Sequence, residues 1–215
     1  MKFEELLKIL NGEAIFSSSI LLAGNVSVND IRRQLTRWVS GGKLIQLRRG
    51  IYAVAFPYKD IQPHPFIIAN KIKKASYVSL QSALEYYGMI PEYVPVITSV
   101  TTGRAEEVTT KIGRFQFRHI KKDLFWGYKE TKITSDEKVF IASPEKSLLD
   151  LLYLTPQSDN TDYIDELRLQ NMEKINPEVL KDFAQRFDTS KIKRAAKMII
   201  NLMKEDERIF KAIDK

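Results

Sequence analysis

The sequence predicts an α+β chain: a small N-terminal unit of helices closed by a hairpin, then a larger α+β unit that ends in helices. Three observations predict it. Between residues 28 and 40, helical apolar spacing coincides with a basic outer face and runs directly into a strand, turn and strand pattern. Segments that are β-branched or alternate in polarity then cluster between 94 and 141. From Pro144 onward the spacing is helical almost throughout.

Taken in order, Phe3, Leu6, Leu7 and Leu10 share one face of a first short helix that stops near Asn11 and Gly12. Ile15 and Phe16 suit a short extended piece, and Ser17 to Ser19 cap a second helix over Ile20 to Ala23. Gly24 and Asn25 supply a turn. Ser27 then stands three residues ahead of Asp30, which resembles a capping box, so a helix starts there with its free amides satisfied. Val28, Ile31, Leu35, Trp38 and Val39 form its buried stripe, while Asn29, Arg33, Thr36, Arg37 and Ser40 lie opposite, with Arg32 on the flank. Gly41 and Gly42 end the helix. Leu44, Ile45 and Leu47 lead into Arg48, Arg49 and Gly50, and Ile51 to Val54 returns, which predicts a hairpin. Helix, helix, turn, helix and hairpin in this order are a winged helix-turn-helix over residues 1–56, the arrangement that sets its last helix in a DNA major groove.

Three prolines within FPYKDIQPHP make 57–65 the linker. Beyond it, 66–155 reads as mixed helix and strand and 156–215 as a helical tail. Helices are predicted over Phe66 to Lys74 and through YVSLQSALEYYGM, and strands over Val94 to Thr102, Gly113 to Ile120, Leu124 to Ile133 and Lys138 to Ile141. Pro144 opens PEKSLLDLLYL, whose leucines cover too wide an arc for a surface helix and predict a central one. After the polar loop 156–162 come helices over Tyr163 to Met172, Pro177 to Phe187 and Ser190 to Lys204.

At 215 residues and 44% hydrophobic, the chain is long enough to bury a core. With no cysteine there is neither a disulfide framework nor a thiolate metal site. MKFEELLKIL is a poor signal peptide, and no run of about 18 apolar residues predicts a membrane span, so a cytoplasmic location is expected. The formal net charge is +7, and residues 27–50 alone hold six basic side chains against one acidic. A concentrated basic patch is the electrostatic footprint of nucleic-acid binding.

The candidate DNA-contacting residues follow. Arg33 and Arg37 suit guanine edges, because arginine pairs bidentately with O6 and N7; Asn29 suits adenine, and Thr36 shares their face. Arg32, Lys43, Arg48 and Arg49 suit phosphates or a minor groove. His64 and His119 lack acidic neighbours at ligand spacing, so no metal site is expected; they read as exposed and half-buried respectively. TSVTTGR (98–104) lacks phosphate-loop spacing and reads as a strand end. Glu145, Lys146 and Asp150 invite an acid–base reading, but Glu145 and Asp150, five apart, share a helix face poorly, and Glu145 suits a helix first turn. No catalytic, cofactor-binding or metal-binding residue is therefore assigned.

The stretch from Ile15 through LIQLRRGIYAV, followed by YVSLQSALEYYGMIP (77–91), VITSVTTGR (96–104), GRFQFRHI (113–120) and ASPEKSLLDLLYL (142–154), resembles the AbiEi-type antitoxins, predicted transcriptional regulators associated with phage-defence loci. The likeness covers about the first 155 residues, and Arg48 and Arg49 match the family's wing. It implies an N-terminal domain that binds operator DNA, typically inverted repeats, and represses its own operon without a cofactor. It also implies a C-terminal domain that counters a nucleotidyltransferase-like toxin of AbiEii type, with no stable complex required. The alternatives are a solitary regulator whose C-terminal domain senses a ligand or protein, and a DNA-targeted enzyme, for which no clustered carboxylates stand out.

Overall fold

A computed structural model describes residues 1–23, 26–59, 63–133 and 137–213, the last seven by backbone alone. The architecture is mixed helix and sheet. The chain begins with α1 (Phe3–Leu10), β1 (Ile15–Ser17), a 3₁₀ turn over Ser18–Leu22, α2 (Val28–Ser40), β2 (Leu44–Arg48) and β3 (Ile51–Val54). Phe3, Leu6, Leu35, Trp38, Leu44 and Val54 are buried together, and each such large side chain contributes roughly 1.5–3 kcal/mol. The rings of Phe3 and Trp38 meet edge to face at 5.3 Å. Asn11, in the left-handed region at φ 44°, closes α1. Gly42, at φ 70°, closes α2: its N–H reaches the Val39 carbonyl (3.1 Å) and that of Lys43 reaches Trp38 (2.8 Å), a Schellman end that a β-carbon would strain. β3 lies between β1 and β2, antiparallel to both.

Two expectations for this part change. The second helix is a 3₁₀ turn, because five residues held by the Ser17 hydroxyl on the Ser19 amide cannot propagate α-helical bonding. Val28, assigned to the buried stripe, is 44% exposed: it stands in the first turn of α2, beyond the cover that Ile31, Leu35 and Trp38 share. The turn expected at Gly24 and Asn25 falls outside the described residues, as do residues 60–62 of the segment read as a linker.

Next come α3 (Pro65–Ile72), β4 (Ser76–Val78), α4 (Leu80–Tyr86), β5 (Val96–Thr101), β6 (Glu106–Thr110), β7 (Gly113–His119), β8 (Tyr128–Lys132) and β9 (Lys138–Ala142). The chain then turns helical through α5 (Pro144–Leu154), α6 (Thr161–Glu166), α7 (Pro177–Phe187) and α8 (Ser190–Ile213). The six strands run β6-β7-β5-β4-β9-β8; β5 with β7 and β4 with β9 are parallel, the other pairs antiparallel. Strand alternation gives the sheet two apolar faces. Tyr77, Val100 and Ala142 face the helices α4, α5, α7 and α8, whereas Val78, Phe115, Phe117 and Ile141 face α3. The strands β4 and β6 were not foreseen: SYV is short and adjoins a stretch read as helical, and EEVTT, on the edge of the sheet, opens with two acidic residues and holds one apolar side chain, so no alternation of polarity marks it. The helix expected over 163–172 ends at Glu166, and the last helix runs on to Ile213. No helix among the described residues is long and apolar enough to cross a membrane.

The first elements do not stand apart from the rest. Ala14, Ile15, Leu47 and Ala53 join the apolar cluster that contains Ile68, Ile72 and Phe117. Arg48 donates to the Ile72 carbonyl (3.0 Å) and lies 3.5 Å from the Glu106 carboxylate, which also accepts from Lys73. The Lys73 hydrogen bond, helped by the charges of Arg48 and Arg104, holds the Glu106 carboxyl below the usual range against the opposing effect of burial.

A carboxyl with a depressed folded-state pKa contributes stability above its ordinary value, near pH 4, and loses it as pH falls through the depressed one. A double-mutant cycle with Arg48→Gln and Glu106→Gln, read by urea denaturation, is expected to give a coupling of about 0.5–1 kcal/mol at pH 7. That coupling should vanish on acidification below the carboxylate range. A coupling of zero at neutral pH would refute the contact's contribution.

Candidate nucleic-acid interface

The Ser27 hydroxyl accepts from the Asp30 amide at 3.4 Å and starts α2. At thirteen residues the helix is about 20 Å long. Its apolar side being used by Ile31, Leu35 and Trp38, the residues Asn29, Arg32, Arg33, Thr36 and Arg37 are all exposed. Arg33 lies 3.4 Å from Asp30, with both side chains mostly in water, so the pair is weak and exchangeable. Arg37 donates to the Gln34 side chain (3.0 Å), and the Thr36 hydroxyl donates to the Arg32 carbonyl (3.0 Å), leaving its lone pairs free. The helix thus presents three exposed arginines, of which Arg33 and Arg37 are held only by side chains of the same helix.

A cleft of about 390 Å³ separates α2 from the hairpin. Arg32 and Thr36 line one side, Gln46, Arg49 and Tyr52 the other, with Leu22 at the edge. Arg33 and Arg37 do not line it and project from the neighbouring outer face. Tyr52 stacks on Phe16 at 5.8 Å, and burial pushes its phenol above the ordinary value. Two guanidiniums on opposite walls of the cleft, Arg32 and Arg49, suit a phosphodiester strand in charge.

The structure therefore brings together six of the eight residues singled out from the sequence: Asn29, Arg32, Arg33, Thr36 and Arg37 on α2, and Arg49 at the hairpin turn. The other two are committed elsewhere. Arg48 points to Ile72 and Glu106, on the far side of its strand from the cleft. Lys43 sits over the rings of Phe3 (5.0 Å) and Tyr58 (5.6 Å), where cation–π attraction anchors the end of α2 to α1.

The histidine expectations are reversed. His64 is half-buried, its Nδ1 accepting from the Phe66 amide at the start of α3, and burial lowers its pKa; His119 is exposed beside the Gly103 carbonyl at 2.9 Å. Among the described residues no group of three or more His, Asp or Glu side chains could hold a metal ion.

Lys146 and Asp150, weighed from the sequence as part of an acid–base group and left unassigned, belong to a buried polar cluster that the sequence did not predict. Lys146 and Asp150, one turn apart on α5, are both fully buried and form an ion pair. The Lys146 ammonium also donates to the Tyr77 hydroxyl (2.9 Å); Tyr77 and Ser79 in turn donate to Asp150 (2.9 and 2.8 Å). The rings of Trp126 and Phe187 stand 5.0 and 4.9 Å from the same nitrogen. Burial drives Lys146 down and Asp150 up, each toward its neutral form, and raises Tyr77 steeply. Gly127 is needed here, because a β-carbon would come within 2.9 Å of the Lys146 stem. The four-residue spacing was visible in the sequence; what hides it from water was not. The neighbouring Glu145 accepts from Ser143 (2.8 Å) and from the Asn176 amide (2.9 Å), tying α5 to the start of α7. Lys146 and Asp150 have no exposed surface, and their hydrogen bonds to Tyr77 and Ser79 brace α5 against β4 and the start of α4.

Lys146→Met leaves a buried, unpaired carboxylate and is expected to cost about 3–5 kcal/mol in urea denaturation, much of it recovered by adding Asp150→Leu. Equal stability of Lys146→Met and the native chain would refute the brace.

Compared with protein-family models and with curated proteins, the sequence matches none.

Proposed function

We propose that the chain is a cytoplasmic transcriptional repressor whose first 56 residues act as a winged helix-turn-helix, α2 reading operator DNA. One observation carries this reading: five exposed donors on a single helix lie beside a cleft whose far wall holds Arg49. The element order supports it, with β1 pairing to the hairpin behind the helix and so presenting helix and wing on one side. Arg33 and Arg37 read guanine edges, Asn29 reads adenine, and Arg32 and Arg49 clamp phosphates across the cleft. Arg48 and Lys43 act indirectly, holding the wing and the end of the helix in place. The preferred target is an inverted repeat, engaged by two copies. The resemblance to AbiEi-type antitoxins extends the reading to autoregulation and to countering a nucleotidyltransferase-like toxin, a role that falls to residues beyond the hairpin.

In a gel-shift titration on the promoter of its own operon, Arg33→Ala or Arg37→Ala is expected to cost about 1–3 kcal/mol and to relax base preference. Arg49→Ala should weaken binding to all sequences alike and reduce the slope of log affinity against log salt by about 1. Unchanged affinity in the Arg33/Arg37 double variant would sink the assignment of α2. Rescue of growth from a toxic neighbouring gene by co-expression tests the antitoxin role; a harmless neighbour removes it.

A further inference from the structure

A second cleft, of about 370 Å³, opens where the starts of α3, β5 and β7 meet the end of α4. Its size falls within the range of small-molecule sites. Phe66 and Phe115 form buried walls, whereas Tyr86 and Tyr93 are 43% and 81% exposed. Two opposite charges line the same space. Glu85 accepts from the Val94 amide (3.2 Å) through one oxygen only, and Arg114 makes no side-chain hydrogen bond among the described residues. Neither is ion-paired there, to the other or to any described residue.

We propose that this cleft binds a free aromatic amino acid. The ligand's carboxylate meets the Arg114 fork, which suits bidentate pairing. Its ammonium meets the free oxygen of Glu85 and the faces of the tyrosines, and its ring packs on Tyr86 and Tyr93. Charge complementarity selects this occupant. A residue within a peptide carries neither charge, and a chain terminus carries only one of the two.

The elements that line the cleft continue to the wing. α3 starts in it and ends at Ile72, whose carbonyl holds Arg48; the turn between β6 and β7 lines it, and the opposite end of β6 supplies Glu106, the other partner of Arg48. Arg48 adjoins Arg49. Occupancy of the cleft therefore biases the wing, and the bound amino acid acts as an effector of DNA affinity. The effector role rests on the DNA-binding reading; the ligand site does not.

Isothermal titration of the full chain with phenylalanine, tyrosine and tryptophan tests the site. At least one is expected to bind, with 3-phenylpropionate and phenethylamine, each phenylalanine without one of its two charges, about tenfold or more weaker. Arg114→Gln and Glu85→Gln should weaken it similarly. Both should fold normally, since Arg114 has no side-chain partner to lose among the described residues and a glutamine oxygen still accepts from Val94; their urea denaturation verifies this. Three results overturn the site: no heat from any of the three amino acids at millimolar concentration, equal affinity in both variants, or tighter binding of phenylalanine dipeptides than of the free amino acid. For the effector role, the bound ligand should shift promoter affinity in the native chain and not in Arg114→Gln. An unchanged affinity refutes that role, whereas ligand binding without any DNA binding sinks the regulator reading and leaves the site standing.

Discussion

An ammonium placed in an apolar interior loses its hydration, and the loss exceeds what one ion pair returns unless its remaining protons are also bonded. Lys146 meets that condition through Asp150 and Tyr77, and Asp150 meets its own through Tyr77 and Ser79. The partners come from α5 and β4, and the cover comes from Trp126 and from Phe187 at the end of α7. Moving any of these elements by the length of a hydrogen bond would strand a buried charge. The helical tail is thus no appendage: α7, tied to Glu145 through the Asn176 amide, closes the core over the brace, and α8 packs behind it.

The same rule of satisfied charge sorts the arginines of the first unit. Arg48 and Arg49 are neighbours at one hairpin turn, and in isolation they are equivalent. The irregular register between Gln46 and Arg48 breaks the alternation that would keep Arg48 on the cleft side with Gln46; Arg48 turns toward Glu106 and the Ile72 carbonyl, while Arg49, in the turn itself, lines the cleft beside α2. One becomes structural cement between the small and large sheets. The other is left with its charge available, as are Arg32, Arg33 and Arg37, whose contacts are to exposed groups or solvent. In the proposed function this division gives the wing a fixed root and a free tip. In the same proposal, a wing rooted in the larger sheet is the physical route by which an occupant of the distal cleft would alter DNA affinity.

Much of this was legible in the sequence. The span of α2, its serine start and its glycine end follow from periodicity and capping, which act within a turn or two of the helix. The hairpin at Arg-Arg-Gly, the strand starting at Gly113 and the buried helix opened by Pro144 follow for the same reason, and so do the five outward-facing residues of α2 and Arg49. Local rules nevertheless missed the 3₁₀ turn at Ser18–Leu22, and they missed β4 and β6, whose few residues gain their stability from neighbouring strands.

Sequence thus governs the local features: where helices begin and end, and which residues face which way from them. Tertiary structure alone decided which charges are buried, which are paired across elements and which remain free. Lys146 and Asp150 read only as two charges one turn apart on a central helix until α7 and Trp126 cover them. Arg48 looks like a wing tip until β6 arrives beside it, and Glu85 and Arg114, twenty-nine positions apart, line one cleft only because β7 and the end of α4 border it. The physical reason is that the energy of a charge depends on what surrounds it in space, and that surrounding is set by packing rather than by neighbours along the chain.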